Sequence, residues 1–258
     1  MAIHLGGFLE DQDPAGAFVN IAALQDDLLF TEGDNLRVPS LNRVLAVAGG
    51  ADNAATARIR LSSPTLDAET RPEITPLNQA TGDVEPGSPQ AVMSFRDNPL
   101  TLGVDEQLKA NILSNPSAAA SQWALLWFSD GAVQPVTAQN MQTVRGTGST
   151  TVTAQAWSSC NITLDEDLTP GNYQLVGLRV ESATAVAGRV VFRTGSPPWR
   201  PGCLGTDSAA DLADDMFRFG RMGIWGEFPF VQLPGIEFLC NAADSAQVVY
   251  YDLIKIGG

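Results

Sequence analysis

The stretch FPFVQLPGIEFLCNAADSAQVVYYDLIKI, residues Phe228–Ile256, contains three apolar runs separated by turn residues. The runs are Phe228–Leu233, Ile236–Cys240 and Val248–Ile256, and each is rich in β-branched or aromatic residues. Short runs of this composition, bounded by Pro, Gly, Asn and Asp, are typical of β-strands. The last run is almost continuously apolar, so we expect a central strand that is buried on both faces.

Runs of the same kind continue through the rest of the chain. They are Asn42–Ala51, Ala54–Ser62, Leu100–Val104, Leu108–Leu113, Gln122–Phe128, Thr150–Trp157, Tyr173–Val180 and Ala187–Arg193. A helix over Ser40–Ala48 is the competing interpretation of the first run, and Asp52-Asn53 predicts a hairpin turn after it. About ten strands with no alternation of strands and helices predict an all-β, antiparallel sandwich or barrel with long loops.

One segment, Ser208–Phe219, has a helical pattern. Ser208 can cap the helix, Gly220 can end it, and Leu212 and Met216 fall on one face. In Gln122–Phe128, by contrast, Trp123 and Trp127 share one face of a predicted strand, and we expect that face to be buried in the core. The sequence therefore predicts a single short helix in an otherwise β-rich chain.

The charge balance excludes several classes of partner. The chain has 15 basic and 29 acidic residues, a net charge of −14 and a pI near 4.3. A protein that binds nucleic acid or anionic lipid directly needs a basic face, and the composition offers none. No apolar run approaches the 18 residues of a membrane-spanning helix, and the N-terminal residues lack a secretory signal pattern. We expect no direct nucleic-acid contact and no transmembrane segment.

The sequence contains few residues that could support catalysis or bind a metal. His4 is the only histidine, which disfavours a Ser-His-Asp centre and excludes a multi-histidine metal site within one chain. Cys160, Cys203 and Cys240 form no Cys-x-x-Cys pair, so we expect buried reduced thiols, with one disulfide and a free thiol as the alternative. The acidic clusters lack the spacing of a calcium loop. We predict no catalytic centre, no cofactor and no bound metal.

Two rival functions have specific candidate residues. Glu106 and Glu237 could form the carboxylate pair of a glycosidase if they faced each other across a cleft. Trp199 and Trp225 lie in loops rich in Gly and Pro, where they could stack on sugars or contact a partner. These alternatives predict a sandwich glycosidase and a carbohydrate-binding module, respectively.

The arginines suggest contacts between subunits. Thirteen of the 15 cations are Arg, which pairs with carboxylates through two hydrogen bonds. Arg58 and Arg60 project from one face of a predicted strand. The candidate interface residues are Arg58, Arg60, Trp199, Arg200, Arg218, Arg221 and Trp225.

The C-terminal third carries a resemblance to a known family. LTPGNYQLVGLRVESATAVAGRVVF is followed by WRPGCLG, then FRFGRMGIWGEFPFVQLPGIEFLC and the final strand. This layout of a β-run, an Arg/Pro/Gly loop, a short helix and two long strands resembles the jelly-roll capsid proteins of tailless, icosahedral bacterial or archaeal viruses. The resemblance rests on strand order and composition and extends over roughly 35–258.

The resemblance implies a fold and a function. It implies a single jelly roll over 35–258, with a Pro-rich insertion at 67–89 and an extension at 1–34 that packs on the sandwich or on a neighbour. A compact double roll is the alternative, and it would leave very short connections. The chain would be a capsid subunit, without enzymatic activity, that self-assembles into an icosahedral shell through loop and polar contacts between subunits. Its partners would be copies of itself in a trimer and other virion proteins. It would be located in the virion, after assembly in the host cytoplasm.

Overall fold

The regular secondary structure in the described part of the chain is almost all β-strand. The computed structural model describes residues 2–12, 17–26, 28, 30–51, 57–69, 73–78, 92–114, 120–136, 140–193, 199–206 and 215–257. The chain divides into two compact units. We call Leu5–Glu85 with Gln90–Ala132 the N-terminal unit, and Val133–Gly258 with Met1–His4 the C-terminal unit.

The N-terminal unit contains two sheets. Its elements are β1 (Ile3–Gln12, which begins with two residues of the C-terminal unit), β2 (Val19–Asn20), β3 (Phe30–Glu32), β4 (Asn35–Arg37), β5 (Arg43–Ala51), β6 (Ala57–Ser62), α1 (Pro64–Glu69), β7 (Glu73–Asn78), β8 (Met93–Ser94), β9 (Leu100–Thr101), β10 (Gln107–Ser114) and β11 (Ala120–Ser129). One sheet has the order β1-β11-β5-β8, with β9 also on β5. The other has the order β3-β4-β10-β6-β7, with β2 also on β10. The ladders of β5 and β10 are antiparallel.

The C-terminal unit also contains two ladders. Its elements are β12 (Met141–Gly148), β13 (Ser158–Cys160), β14 (Ile162–Leu164), β15 (Asn172–Glu181), β16 (Ala185–Val191), β17 (Gly202–Thr206), the 3₁₀ helix η1 (Asp215–Phe217), β18 (Gly226–Pro229), β19 (Gly235–Cys240) and β20 (Gln247–Gly257). One antiparallel ladder runs β12-β20-β15-β18, and β14 extends it on β12. The other runs β13-β19-β16-β17. A short parallel pairing of β15 with β17 joins them.

Both units have the strand order of a jelly roll. When β12, β13 and β15–β20 are numbered one to eight, the two ladders have the orders 1-8-3-6 and 2-7-4-5. In the N-terminal unit, β1, β4, β5, β6, β7, β8, β10 and β11 give the same two orders. Strands that follow each other in sequence therefore often lie in opposite sheets, which is how two Greek keys make a jelly roll.

Glycines allow close packing inside each unit. A Cβ on Gly49 of β5 would overlap the side chain of Ile59 in β6, and one on Gly188 of β16 would lie 2.6 Å from Cγ1 of Val180 in β15. Each pair joins strands of opposite sheets, so the missing side chain gives room to the apolar residue across the core. The core stripe of β11 is confirmed, since Trp123 is buried and lies in a fully buried run.

Several predicted elements are confirmed and others are wrong. The all-β antiparallel fold is confirmed, and β20 is a central strand between β12 and β15. The residues around Asn42–Ala51 form β5 and not the competing helix. The hairpin prediction at Asp52-Asn53 is wrong, because β5 and β6 belong to different sheets; the two turn residues themselves lie outside the described residues. Most of Thr150–Trp157 is not a strand.

The helices differ from expectation as well. Residues 208–214 of the predicted helix lie outside the described residues, and the remainder contains the 3₁₀ turn η1. The sequence did not predict α1, which follows β6 directly. In the described residues no helix is both long and apolar enough to cross a membrane.

The domain organisation differs from the expected single roll. The range 35–258 contributes strands to both units, and the expected extension 1–34 contributes β1, β2 and β3 to the sheets of the N-terminal unit. Within the expected insertion 67–89, only 67–69 and 73–78 are described, and the latter form β7. Two of the eight strands of the N-terminal roll are very short, β4 with three residues and β8 with two, which reduces the length of chain that this roll needs.

Candidate functional site

Two candidate interface residues lie on β6 of the N-terminal unit. The guanidinium of Arg60 lies 4.0 Å from the centroid of the Phe18 ring, a cation–π contact at a half-buried position. Arg58 belongs to the same strand, but its side chain lies outside what the structure describes. Arg60 is therefore engaged by an aromatic ring of its own unit.

Arg218 is directed into its own unit. Its Nε donates to Asp252 Oδ2 at 2.6 Å and its Nη2 donates to Asp252 Oδ1 at 2.8 Å. Thr143 Oγ1 and the Phe219 backbone N also donate to this carboxylate. Burial alone would lower the pKa of the Arg218 guanidinium, but the hydrogen bonds and charge of Asp252 raise it above its usual value. The side chain of Arg218 thus has an intramolecular role.

Gly177 makes room for this ion pair. β15 carries an irregular register between Leu175 and Gly177, opposite β20. A Cβ on Gly177 would lie 2.5 Å from Asp252 Oδ2 and 2.9 Å from the Phe219 backbone N. The absence of a side chain therefore allows the carboxylate and the loop to meet over β15.

The loop after η1 presents other side chains outward. Phe219 has a backbone φ of 53° and is 47% exposed, and Ile224 is 38% exposed. Arg221 Nη2 lies 3.1 Å from Asp215 Oδ2, and both side chains are more than half exposed. The loop therefore holds Arg218 inside and offers an apolar ring and a cation at the surface.

Trp199 and Arg200 lie against His4. The backbone N of Arg200 donates to His4 Nδ1 at 3.0 Å, and the His4 and Trp199 rings meet edge to face at 5.6 Å. His4 is completely buried and Trp199 is half-buried. Trp225, expected in an exposed loop, is only 3% exposed. Its ring is therefore not available at the surface of this structure.

The two carboxylates considered for glycoside hydrolysis belong to different units. Glu237 Oε2 accepts a hydrogen bond from Arg189 Nε at 2.6 Å, and Arg189 lies 4.0 Å from the Trp157 ring centroid. Glu106 accepts from the backbone N atoms of Thr65 and Gly103. Each carboxylate thus stabilises its own unit.

The pKa of Glu106 reflects these contacts. Burial would raise it, but the backbone hydrogen bonds from Thr65 and Gly103 outweigh burial and lower it. A general acid at neutral pH needs a raised pKa. The environment of Glu106 lowers its pKa instead, so this residue does not suit the role of a general acid.

The three cysteines are buried free thiols, as expected. Burial raises the pKa of Cys160 to about 11 and that of Cys203 to about 12. Thiols with such values are almost wholly protonated at neutral pH and are poor nucleophiles and metal ligands. In the described part of the chain, no group of three or more His, Cys, Asp or Glu residues could hold a metal ion.

One cleft in the C-terminal unit was not predicted. It has a volume of about 360 Å³ and lies where β13, β14 and β19 meet the segment after β16. Arg193, Asn161 and Gln232 supply polar groups to its wall, and Val231, 68% exposed, lies at its surface. No sequence motif marked the cleft, because its residues come from separate segments.

Comparison with known proteins identified two solved structures among the matches. The major capsid protein P2 from bacteriophage PM2 is 13% identical, with 93% of this chain and 97% of that chain covered and a TM-score of 0.26. The STIV MCP is 9% identical, with 96% and 97% covered and a TM-score of 0.26. No protein-family model and no curated protein matches the chain.

Proposed function

We propose that this chain is a capsid subunit, a structural protein that builds a closed shell from copies of itself. The observation that carries the proposal is the presence of two jelly-roll strand orders in one chain. Jelly rolls are typical of viral capsid proteins and of lectins. Fold alone does not define function. The choice between a capsid protein and a lectin therefore depends on which residues are buried and which are exposed.

The charged interior favours a rigid building unit. The Arg218–Asp252 pair is buried, and its carboxylate accepts hydrogen bonds from three residues. Arg189 and Glu237 form a second, largely buried pair through a hydrogen bond of 2.6 Å. We propose that these buried pairs serve to fix the geometry of the fold. A subunit that must repeat many times in one lattice benefits from such fixed geometry.

The surface favours contacts with protein. Phe219, Ile224, Phe230, Val231 and Ile256 are large apolar side chains of the C-terminal unit with more than a third of their surface exposed. Exposed apolar residues in loops and at strand ends, next to polar groups, suit interfaces between subunits. We propose that these loops, together with Arg221, contribute to contacts in a trimer.

The two Trp residues considered for sugar binding do not form an aromatic surface that is open to solvent. A sugar-binding module needs aromatic rings that are open to solvent. Trp225 is buried, and Trp199 packs on His4. Glycan binding abolished by Trp199→Ala would favour this alternative over the capsid proposal.

The remaining partners follow from charge and location. A subunit of net charge −14 is repelled by phosphates, so the genome would be neutralised by other components. We therefore propose that the chain lies in the virion shell, contacts other virion proteins and makes no direct contact with nucleic acid.

Sedimentation velocity of the purified chain over a wide concentration range tests the proposal. We expect a discrete oligomer with the mass of three copies that grows into larger assemblies at high concentration. A single monomeric species at every concentration, together with a positive glycan array, would overturn the capsid proposal and support the lectin alternative.

A further inference from the structure

Almost every described charged side chain of the C-terminal unit is paired within that unit. The ion pairs are Arg145–Asp165, Arg179–Glu181, Arg189–Glu237, Arg200–Glu237, Arg218–Asp252 and Arg221–Asp215. Three further charged side chains, Glu227, Asp244 and Lys255, make hydrogen bonds to polar groups. In a chain so rich in acids, this pairing leaves few charges for other partners.

Three charged residues are exceptions. Among the charged residues that the structure describes in this unit, these three make neither an ion pair nor a hydrogen bond to another described residue. They are one cation, Arg193, and two acids, Glu166 and Asp167. All three side chains are exposed. Their charges are complementary, which makes them candidates for a contact outside the subunit.

Arg193 lines the cleft of the C-terminal unit. Asn161 and Gln232 line the same cleft. A guanidinium suits carboxylates, because it offers two parallel hydrogen bonds in one plane. Val231, largely exposed, offers apolar contact next to these polar groups.

Glu166 and Asp167 belong to a distinctive segment. Asp165-Glu166-Asp167 is the only run of three consecutive acidic residues in the sequence. It follows β14, and Asp165 is fixed by its pair with Arg145. The two following carboxylates are therefore presented to solvent from a strand end whose position is fixed.

We propose that the cleft of one copy binds the Glu166-Asp167 segment of a second copy, with Arg193 receiving the carboxylates. This inference rests on the proposed self-assembly. Asn161 of the cleft immediately precedes β14, and the acidic segment follows that strand. Because every copy carries both the cation and the acidic segment, copies related by rotation can pair them head to tail, with one of each from every copy.

The test is a charge exchange in the full-length chain, followed by sedimentation equilibrium. Arg193→Glu alone, or Glu166→Arg with Asp167→Arg, should lower the association constant at least about tenfold, because like charges then face each other. The variant carrying all three substitutions should recover association. Arg96→Glu, in the N-terminal unit, changes the net charge as Arg193→Glu does and serves as the control for that variant.

The outcomes separate this contact from the proposed function. If the wild-type chain associates and Arg193→Glu associates as well as Arg96→Glu does, the contact is overturned and the capsid proposal stands. If the triple variant fails to recover while its thermal unfolding matches the wild type, the pairing of these residues is overturned. A wild-type chain that is monomeric throughout overturns both.

Discussion

Arg218 and Asp252 form a two-point ion pair in which the carboxylate has no exposed surface and the arginine side chain is 12% exposed. The two residues are 34 positions apart, and the pair ties the loop after η1 to the central strand β20. Because Thr143 and the Phe219 backbone also donate to Asp252, replacing this residue with an apolar one leaves several donors without an acceptor.

Asp252→Ala should destabilise the chain by about 3–5 kcal/mol, because it leaves the largely buried guanidinium of Arg218 unpaired. Urea unfolding at neutral pH measures the loss. Arg221→Ala is the control, since its pair with Asp215 is exposed and should change the free energy of unfolding by less than about 0.5 kcal/mol. Equal losses in the two variants would contradict the structural role of Asp252.

Gly188→Ala should destabilise the chain by about 1–3 kcal/mol through overpacking, because the new methyl group meets the side chain of Val180. Val180→Ala should cost less free energy in the Gly188→Ala chain than in the wild type, because there it also relieves the overlap. Gly131→Ala, where a Cβ meets nothing within 4 Å, should be close to neutral. An equal cost of Val180→Ala in both chains would argue against contact between these residues of β15 and β16.

Asp244 should make stability depend on pH. Burial would raise its pKa, but hydrogen bonds from Ser182, Ser245, Ala246 and Ala183 lower it in the folded chain. Because the folded pKa lies below the unfolded value of about 3.9, this stabilisation is complete above that value. It is then lost as the pH falls through the folded pKa.

Asp244→Asn tests this dependence. Unfolding free energies measured at pH 7 and near pH 3 should fall more for the wild type than for the variant, because the variant lacks the titrating group. An identical decrease in both chains would show that other carboxylates account for the acid sensitivity.

The thiols should be unreactive in the native chain. Cys160, Cys203 and Cys240 are buried, and burial raises the pKa of each thiol. Little thiolate therefore exists at pH 8, and disulfide reagents should label all three only after unfolding. Rapid labelling of the folded chain at one position would indicate that this cysteine is accessible.

Some long strands could be predicted from the sequence, but β1, which is as long as β11 and β15, was not, and the partners of the strands could not be predicted. Periodicity and apolar runs identified β11, β15 and β20, because a strand buried in a sheet must be apolar along its length. Strands of two or three residues, such as β4 and β8, are too short for any pattern. The division into two rolls depends on such short strands.

The candidate site was harder to predict because burial and pairing are set by distant residues. Trp225 lies between glycines, which suggested exposure, but the fold buries it. Arg218 was expected at an interface, and its partner is a residue of the last strand. Local composition describes the neighbours of a residue in sequence, whereas a jelly roll surrounds it with strands from elsewhere.

Electron microscopy of the concentrated, purified chain tests the central claim most directly. The proposal of a shell subunit predicts closed particles or ordered lattices whose repeating unit is a threefold cluster of this chain. Fields that contain only isolated single copies, at concentrations where sedimentation also finds monomer, would contradict it.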